Sequence, residues 1–553
     1  MDVLALVLGL ALPWCLGFSL LLVLDWPRPA ADTSGSAFPT SGHALRLGYG
    51  YFIGVLLLTL WMRALALAGV GFARLSIGAP LLAAAVALLL LAGRRKPISL
   101  AAVRDTATML IRPPLPRWQR IGWTLLLAWL AFRFASLAVE VAWRPLYPWD
   151  AWTQWATKAR VWYELSRIVP FVPADVWLAG QGGAFFDASP NAPSTIPLLQ
   201  AWGSIALGRW DDSAMNWPWL LMLVALALAA YGALRDAAIS PLGALIGAYL
   251  VVSLPLVDAH VALAGDADLM LSGIYALAAL AFHRWARRRD VRDGVLALLL
   301  ALSCPLIKTQ GVVWALTLIP GVVVALLPRR GLKLVAWSFG VAALALLVLA
   351  RTEPTLRGVS LHLDYGPTWR TLLDAYLMLG NWNLLWYGAG ALAIVGARRL
   401  VRPPLAPLAI VVASGLAFLL IAFAFPGDVA AWSEHSCPCG RGLPLLERID
   451  GRESDYVTTE AGELISGISL TENFALHVPG VAQIQIVQED VTQFRFRVVR
   501  SPEFGESSQE RLRSLVRDRF GPNTLFDLEF VDSIPQEPSG KYRFCISKVP
   551  VSI

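Results

Sequence analysis

The stretch VLALVLGLALPWCLGFSLLLVL, residues 3–24, decides the fold class. It holds no charged side chain, and crossing a bilayer core takes about 20 apolar residues in a helix. Only a helix satisfies its own backbone hydrogen bonds in hydrocarbon, so the run predicts a spanning helix. The residues before it carry no basic n-region and the run shows no obvious small-residue cleavage site. It is therefore read as a retained span and not as a secretion signal.

Runs of the same kind recur at 45–70, 75–93, 121–142, 214–234, 239–257, 266–283, 294–307, 311–327, 332–350, 374–397 and 405–425. The composition agrees: 57% of the chain is hydrophobic and 15% charged, against about 45–50% and 25% in soluble domains. The expected fold class is an all-α polytopic membrane protein of about 12 transmembrane helices over residues 1–432. A small C-terminal α+β domain follows over 436–553.

Orientation follows from arginine and lysine, because positively charged loops stay in the cytoplasm. The basic connections are 94–120, 284–292, 328–333 and 398–402, with Arg95, Arg288 and Arg329 among their members. With the spans above, all four fall on one side. Counting 193–207 as another span would move the 284–292 cluster outside, so that run is expected to lie on, or dip into, the outer surface. Both termini are then external. The net charge of +7 is accounted for by these loops and their contacts with lipid phosphate. There is no zinc spacing, phosphate-binding glycine loop or aromatic-basic motif, so no nucleic-acid partner is expected. Cys15 and Cys304 sit in apolar runs, which leaves a disulfide framework unsupported.

The long outer loop 143–213 opens with RPLYPWDAWTQWATKARVWYE. Asp150 stands just past a span, flanked by Trp149, Trp152 and Trp155, and Lys158 follows two helical turns later on the same face. Two readings fit: a carboxylate base inside an aromatic wall that holds a sugar ring, or an interfacial tryptophan belt with a solvated Asp. The connection PLVDAHVALAGDADLM brings Asp258, His260, Asp266 and Asp268 to the same side. Ionisable groups so near hydrocarbon are costly and are functional candidates by default. Lys308, in PLIKTQG, lies between two apolar runs at the outer mouth, where an ammonium could hold a phosphate.

The order of PWDAWTQWATKA, APSTIPLLQAW, AGDADL and PLIKTQG resembles bacterial membrane glycosyltransferases of the GT-C superfamily, relatives of the protein mannosyltransferases and of the aminoarabinose transferase of lipid A. The resemblance covers roughly 1–432. It implies transfer of a sugar from a polyprenyl-phosphate carrier to an acceptor on the outer face. Asp150 would serve the chemistry, Trp152 and Trp155 would line the substrate, and Lys308 would bind the carrier phosphate with Lys158 in reserve. Asp266 and Asp268 are the candidate ligands of a divalent metal ion. The family pattern has an aromatic residue where Asp266 stands and a Glu where Gln310 stands. A transporter or flippase of a lipid-linked substrate, built from the same spans, is the alternative.

From about Ser436 the texture changes. Residues 482–500, AQIQIVQEDVTQFRFRVVR, predict two strands with a tight turn at 489–492. Leu512, Leu515, Val516 and Phe520 predict a helix over 506–520 that Gly521 stops, and a further strand is expected at 524–531. CPCGRGLP, GRESDYV, VPGVAQIQIVQ and IPQEPSGKYRF closely resemble the C-terminal lid of phenylacetate–coenzyme A ligase-like, AMP-forming enzymes. In that family the lysine of the last motif, here Lys541, contacts the carboxylate and α-phosphate during adenylation. No Ser/Thr/Gly-rich phosphate loop precedes the lid in this sequence, so an orphan lid that performs no adenylation is expected here, with an inactive fusion as a further alternative for the whole chain. Cys437 and Cys439 form a single C-x-C with no other ligand nearby.

Overall fold

The computed structural model describes residues 2–28, 38–95, 104, 108, 111–148, 150–172, 176–177, 185–187, 189–328, 330–352, 355–356, 359–360, 369, 373, 383–424, 431–436, 444–448, 456–458, 464–466, 478–520, 524–534 and 545–549. The chain divides into two compact units. One comprises Met1–Ala174, Gly183–Asp364 and Leu372–Phe423; the other comprises Asp175–Gly182, Tyr365–Thr371 and Ala424–Ile553.

The first unit is helical. Six of its described helices are long and apolar enough to cross a membrane: Val3–Val23, Ser41–Leu67, Arg74–Arg95, Arg117–Trp143, Ala214–Asp236 and Asp268–Arg288. Pro241–Val252 and Pro255–Ala262 together make a seventh candidate, bent by 61°. Pro255 lacks the N–H that would carry the helix through, so the break falls where the sequence places that ring. The expected span 239–257 is therefore longer and broken, and Asp258 and His260 ride on its second half instead of on a loop. Apolar helices at Gly331–Thr352, Asn383–Val395 and Ala406–Ala424 add to these.

The faces of these helices match lipid on one side and close packing on the other. On Arg117–Trp143, Ile121, Leu125, Phe132 and Val139 form an exposed stripe at helical spacing. In water such a stripe would turn inward. The first two helices touch backbone to backbone: a Cβ on Gly54 would stand 1.7 Å from the carbonyl oxygen of Pro13. Small residues permit the close approach that drives helix association where lipid is the solvent.

The helix Thr195–Leu207 corrects one expectation. Every residue in it is buried, and Trp202 donates its indole N–H to the carbonyl of Gly9 at 3.0 Å. It is packed inside the unit and not laid on a surface. Its 13 residues remain too few to span, which preserves the parity on which the orientation rests.

That parity has structural support. Arg284 pairs with Asp236 and with Asp293, Arg288 pairs with Asp236 at 2.8 Å, and Arg292 lies 3.7 Å from Asp25. Arg95 donates to the carbonyl of Val23 at 2.9 Å, and Trp26 donates to Asp293 at 2.7 Å. The basic ends of separate helices thus meet at one end of the bundle. Arg329 lies outside the described residues.

The second unit carries a four-stranded sheet in the order Leu525–Phe530, Gln493–Arg500, Val481–Asp490, Cys545–Ser547. The central pair is antiparallel, and both outer strands run parallel to their neighbours. Glu506–Phe520 packs Leu512, Val516 and Phe520 against Ile486, Phe494 and Phe496 of the sheet. The hairpin, helix and third strand match the expected elements. The short strand Cys545–Ser547 had no expectation. Lys541, Cys437 and Cys439 lie outside the described residues.

Candidate active site

The end of the bundle away from the arginine cluster holds Asp150, Asp266 and Asp268. Arg117–Trp143 delivers the chain to Asp150, after which Ala151–Ala156 winds as a π-helix and Thr157–Leu165 as an α-helix. A π-turn inserts one residue into the ladder and is frequent at functional sites because it re-aims side chains. Asp150 is exposed, and its Oδ1 accepts from Gln154 Nε2 at 3.1 Å.

The loop 263–267 comes up beside it. Gly265 has φ +119°, and a Cβ there would stand 2.7 Å from both Ala151 Cβ and Leu146 Cδ1. Glycine is thus needed for conformation and for clearance alike. Trp219 donates its indole N–H to the Asp266 carbonyl at 2.9 Å and fixes the loop from beneath. Asp266 Oδ1 is buried without a hydrogen-bond partner. Burial, with Asp268 and Asp150 beside it, pushes the Asp266 carboxyl up to about 6, while Lys308 pulls the other way. Lys308 donates to both Asp268 oxygens, at 2.8 and 3.0 Å.

Asp150, Asp266, Asp268 and Lys308 are therefore brought together from three separate segments, with His260 in electrostatic reach of Asp268 and Lys308. Such a cluster can take up a proton at one carboxylate while a neighbour stays ionised. Among the described residues no three His, Cys, Asp or Glu side chains converge as metal ligands. Of the Asp266–Asp268 pair expected to hold a metal, Asp268 is engaged by Lys308.

Two expected members sit elsewhere. Lys158 is 1% exposed and bonds Asp187 Oδ1 at 2.9 Å, the Ser189 carbonyl at 2.5 Å and the Gln154 carbonyl at 3.2 Å. Burial pulls its ammonium below the usual range, against the opposing pull of Asp187. It ties Asp187 and Ser189 to the helix and is not a reserve phosphate ligand. Trp155 is 4% exposed and belongs to the core, so it does not wall a ligand. Trp152 is 45% exposed. Trp149 lies outside the described residues. Asp187, Gln154 and Gly265 were not singled out in the sequence; only the glycine, between two small apolar residues and two aspartates, carries a local signal.

The raised Asp266 carboxyl gives a pH-dependent test. Its folded-state value, about 6, lies above the ordinary 3.8, so the folded state binds the proton more tightly and loses stability as pH rises between those values. Asp266→Asn should raise the thermal transition in detergent at pH 7.5 and leave it nearly unchanged at pH 4. Equal shifts at both pH values would contradict the assignment.

Comparison with known proteins bears on the C-terminal unit. Residues 457–548 match the CapK C-terminal domain family. Protein CapK of Staphylococcus aureus is 30% identical over 105 residues, which is 19% of this chain and 23% of that protein. The chain thus spans under a quarter of the length of the curated relative it matches. No solved structure matches.

Proposed function

We propose that residues 1–432 form a multi-pass glycosyltransferase of the GT-C kind, with about 12 spans in a bacterial inner membrane, that moves a sugar from a polyprenyl-phosphate carrier to an acceptor on the outer face. The observation that carries this reading is the gathering of Asp150, Asp266, Asp268 and Lys308 at the end of the bundle opposite the arginine cluster. In the proposed step Asp150 takes the acceptor hydroxyl proton as its oxygen bonds to the anomeric carbon. The bond from that carbon to the carrier phosphate breaks, and the phosphate leaves with its electron pair. Lys308 stabilises the departing charge with the N–H donor left over from its two bonds to Asp268. The C-terminal unit is read as a domain similar to the lid of AMP-forming ligases, and it performs no adenylation by itself.

The broken span at 253–254 supports a second reading, since discontinuous helices mark transporters. Proteoliposomes loaded with a radiolabelled sugar on a polyprenyl phosphate and supplied with envelope extract separate the two. Label leaving the carrier for an acceptor is the expected result. Label that crosses the bilayer still joined to its carrier would overturn the transferase in favour of a flippase.

A further inference from the structure

Lys308 is the cation expected to meet a phosphate at this mouth, and two of its N–H donors are already engaged by Asp268. A different cation nearby has no carboxylate partner among the described residues. Arg63 sits within the candidate span Ser41–Leu67, four residues from its end. It donates through Nε to Ser194 Oγ at 3.0 Å and through Nη2 to Thr195 Oγ1 at 2.7 Å. Thr195 in turn donates to the carbonyl of Leu306 at 2.5 Å, two residues before Lys308. Among the described residues Arg63 has no carboxylate partner, and its Nη1 is buried without any acceptor. A guanidinium near hydrocarbon with an unmet N–H is costly unless an anion completes it.

We infer that Arg63, with the hydroxyl of Ser194 and with Thr195 fixing its guanidinium, is a phosphate-binding cradle near Lys308, and that it holds the phosphate of an amphiphile at the mouth of the bundle; this rests on reading that mouth as a lipid-phosphate site. A guanidinium presents several donors in a fixed fork suited to phosphate oxygens, which an ammonium does not. Position within a candidate span, one turn from its end, suits a headgroup whose tail runs alongside the helices. Within the acidic cluster Lys308 pairs with Asp268. Arg63 adds a positive charge that no carboxylate of the described residues meets.

The test uses the full chain in detergent micelles and three probes: farnesyl phosphate, farnesol and inorganic phosphate. Farnesyl phosphate should raise the thermal transition, and Arg63→Gln should weaken its apparent affinity by about 10–100-fold, the range of a lost charge-assisted bond. Arg63→Lys should recover part of that loss, which separates the charge from the packing. Farnesol should bind far more weakly, and inorganic phosphate should compete only at much higher concentration. Undiminished farnesyl phosphate binding by Arg63→Gln overturns the cradle. Equal affinity for inorganic phosphate overturns the lipid source. If Arg63→Gln loses binding while wild-type protein transfers no sugar, the transferase reading fails and the cradle stands. If transfer proceeds in Arg63→Gln with an unchanged KM for the carrier, the cradle fails and the transferase stands.

Discussion

Asp150→Asn is expected to lower turnover by about 10²–10⁴-fold, the contribution of a positioned general base, with yield unchanged and the thermal transition not lowered. The structural side of this expectation is specific. Asp150 is exposed, and an Asn in its place still offers Oδ1 to Gln154. The change removes proton affinity and little else. It should also act on its neighbour. Asp150 is one of the charges that push the Asp266 carboxyl up to about 6, so Asp266 should move down toward its ordinary value in the variant. Residual transfer should accordingly show its acidic limb at lower pH than the wild type. Transfer at the wild-type rate would remove Asp150 from the chemistry and leave Asp268 as the next base to test.

The legible and illegible parts of this chain divide by sequence distance. Hydrophobic runs are local, and they located the helices Ser41–Leu67, Arg117–Trp143 and Asp268–Arg288 within a few residues. The alternation of 482–500 fixed the hairpin register, because a slip of one residue would turn Phe494 and Phe496 out of the core. Asp150, Asp266 and Lys308 were also visible singly, since each is an ionisable group beside an apolar run. Their mutual placement was not. The Lys158–Asp187 pair joins residues 29 apart in sequence and Arg63–Thr195 joins residues 132 apart. Nothing in the local pattern of either partner names the other. Lys158 looked functional because its lysine followed Asp150 at helical spacing, and only burial against Asp187 shows that it holds the loop. The total burial of Thr195–Leu207 escaped notice for a related reason: an apolar helix of that length reads the same whether it faces lipid or its own fold.

Gly265→Ala should be nearly as damaging as the loss of Asp150, although residue 265 carries no chemistry. A methyl group there would stand 2.7 Å from two atoms. Leu146 Cδ1 is the free end of a side chain and can swing aside. Ala151 Cβ cannot, because it is fixed to the backbone next to Asp150 and Ala151 is fully buried. On the other side the Trp219 indole holds the Asp266 carbonyl, so the strain is directed into the Asp150 segment. A displacement of about 1 Å at a reacting group costs on the order of 10²-fold in rate, which is the drop expected in turnover. Stability should fall as well, because a φ of +119° is open to glycine and costs an L-residue about 1–3 kcal/mol. The two effects have different causes, so a second substitution should part them. Ala151→Gly removes the methyl against which the new side chain at position 265 would press, but leaves the backbone angle as it was. Gly265→Ala/Ala151→Gly is therefore expected to recover most of the turnover while its thermal transition stays low. Wild-type turnover in the single variant, or no recovery in the double, would mean that the 263–267 loop does not set the position of Asp150.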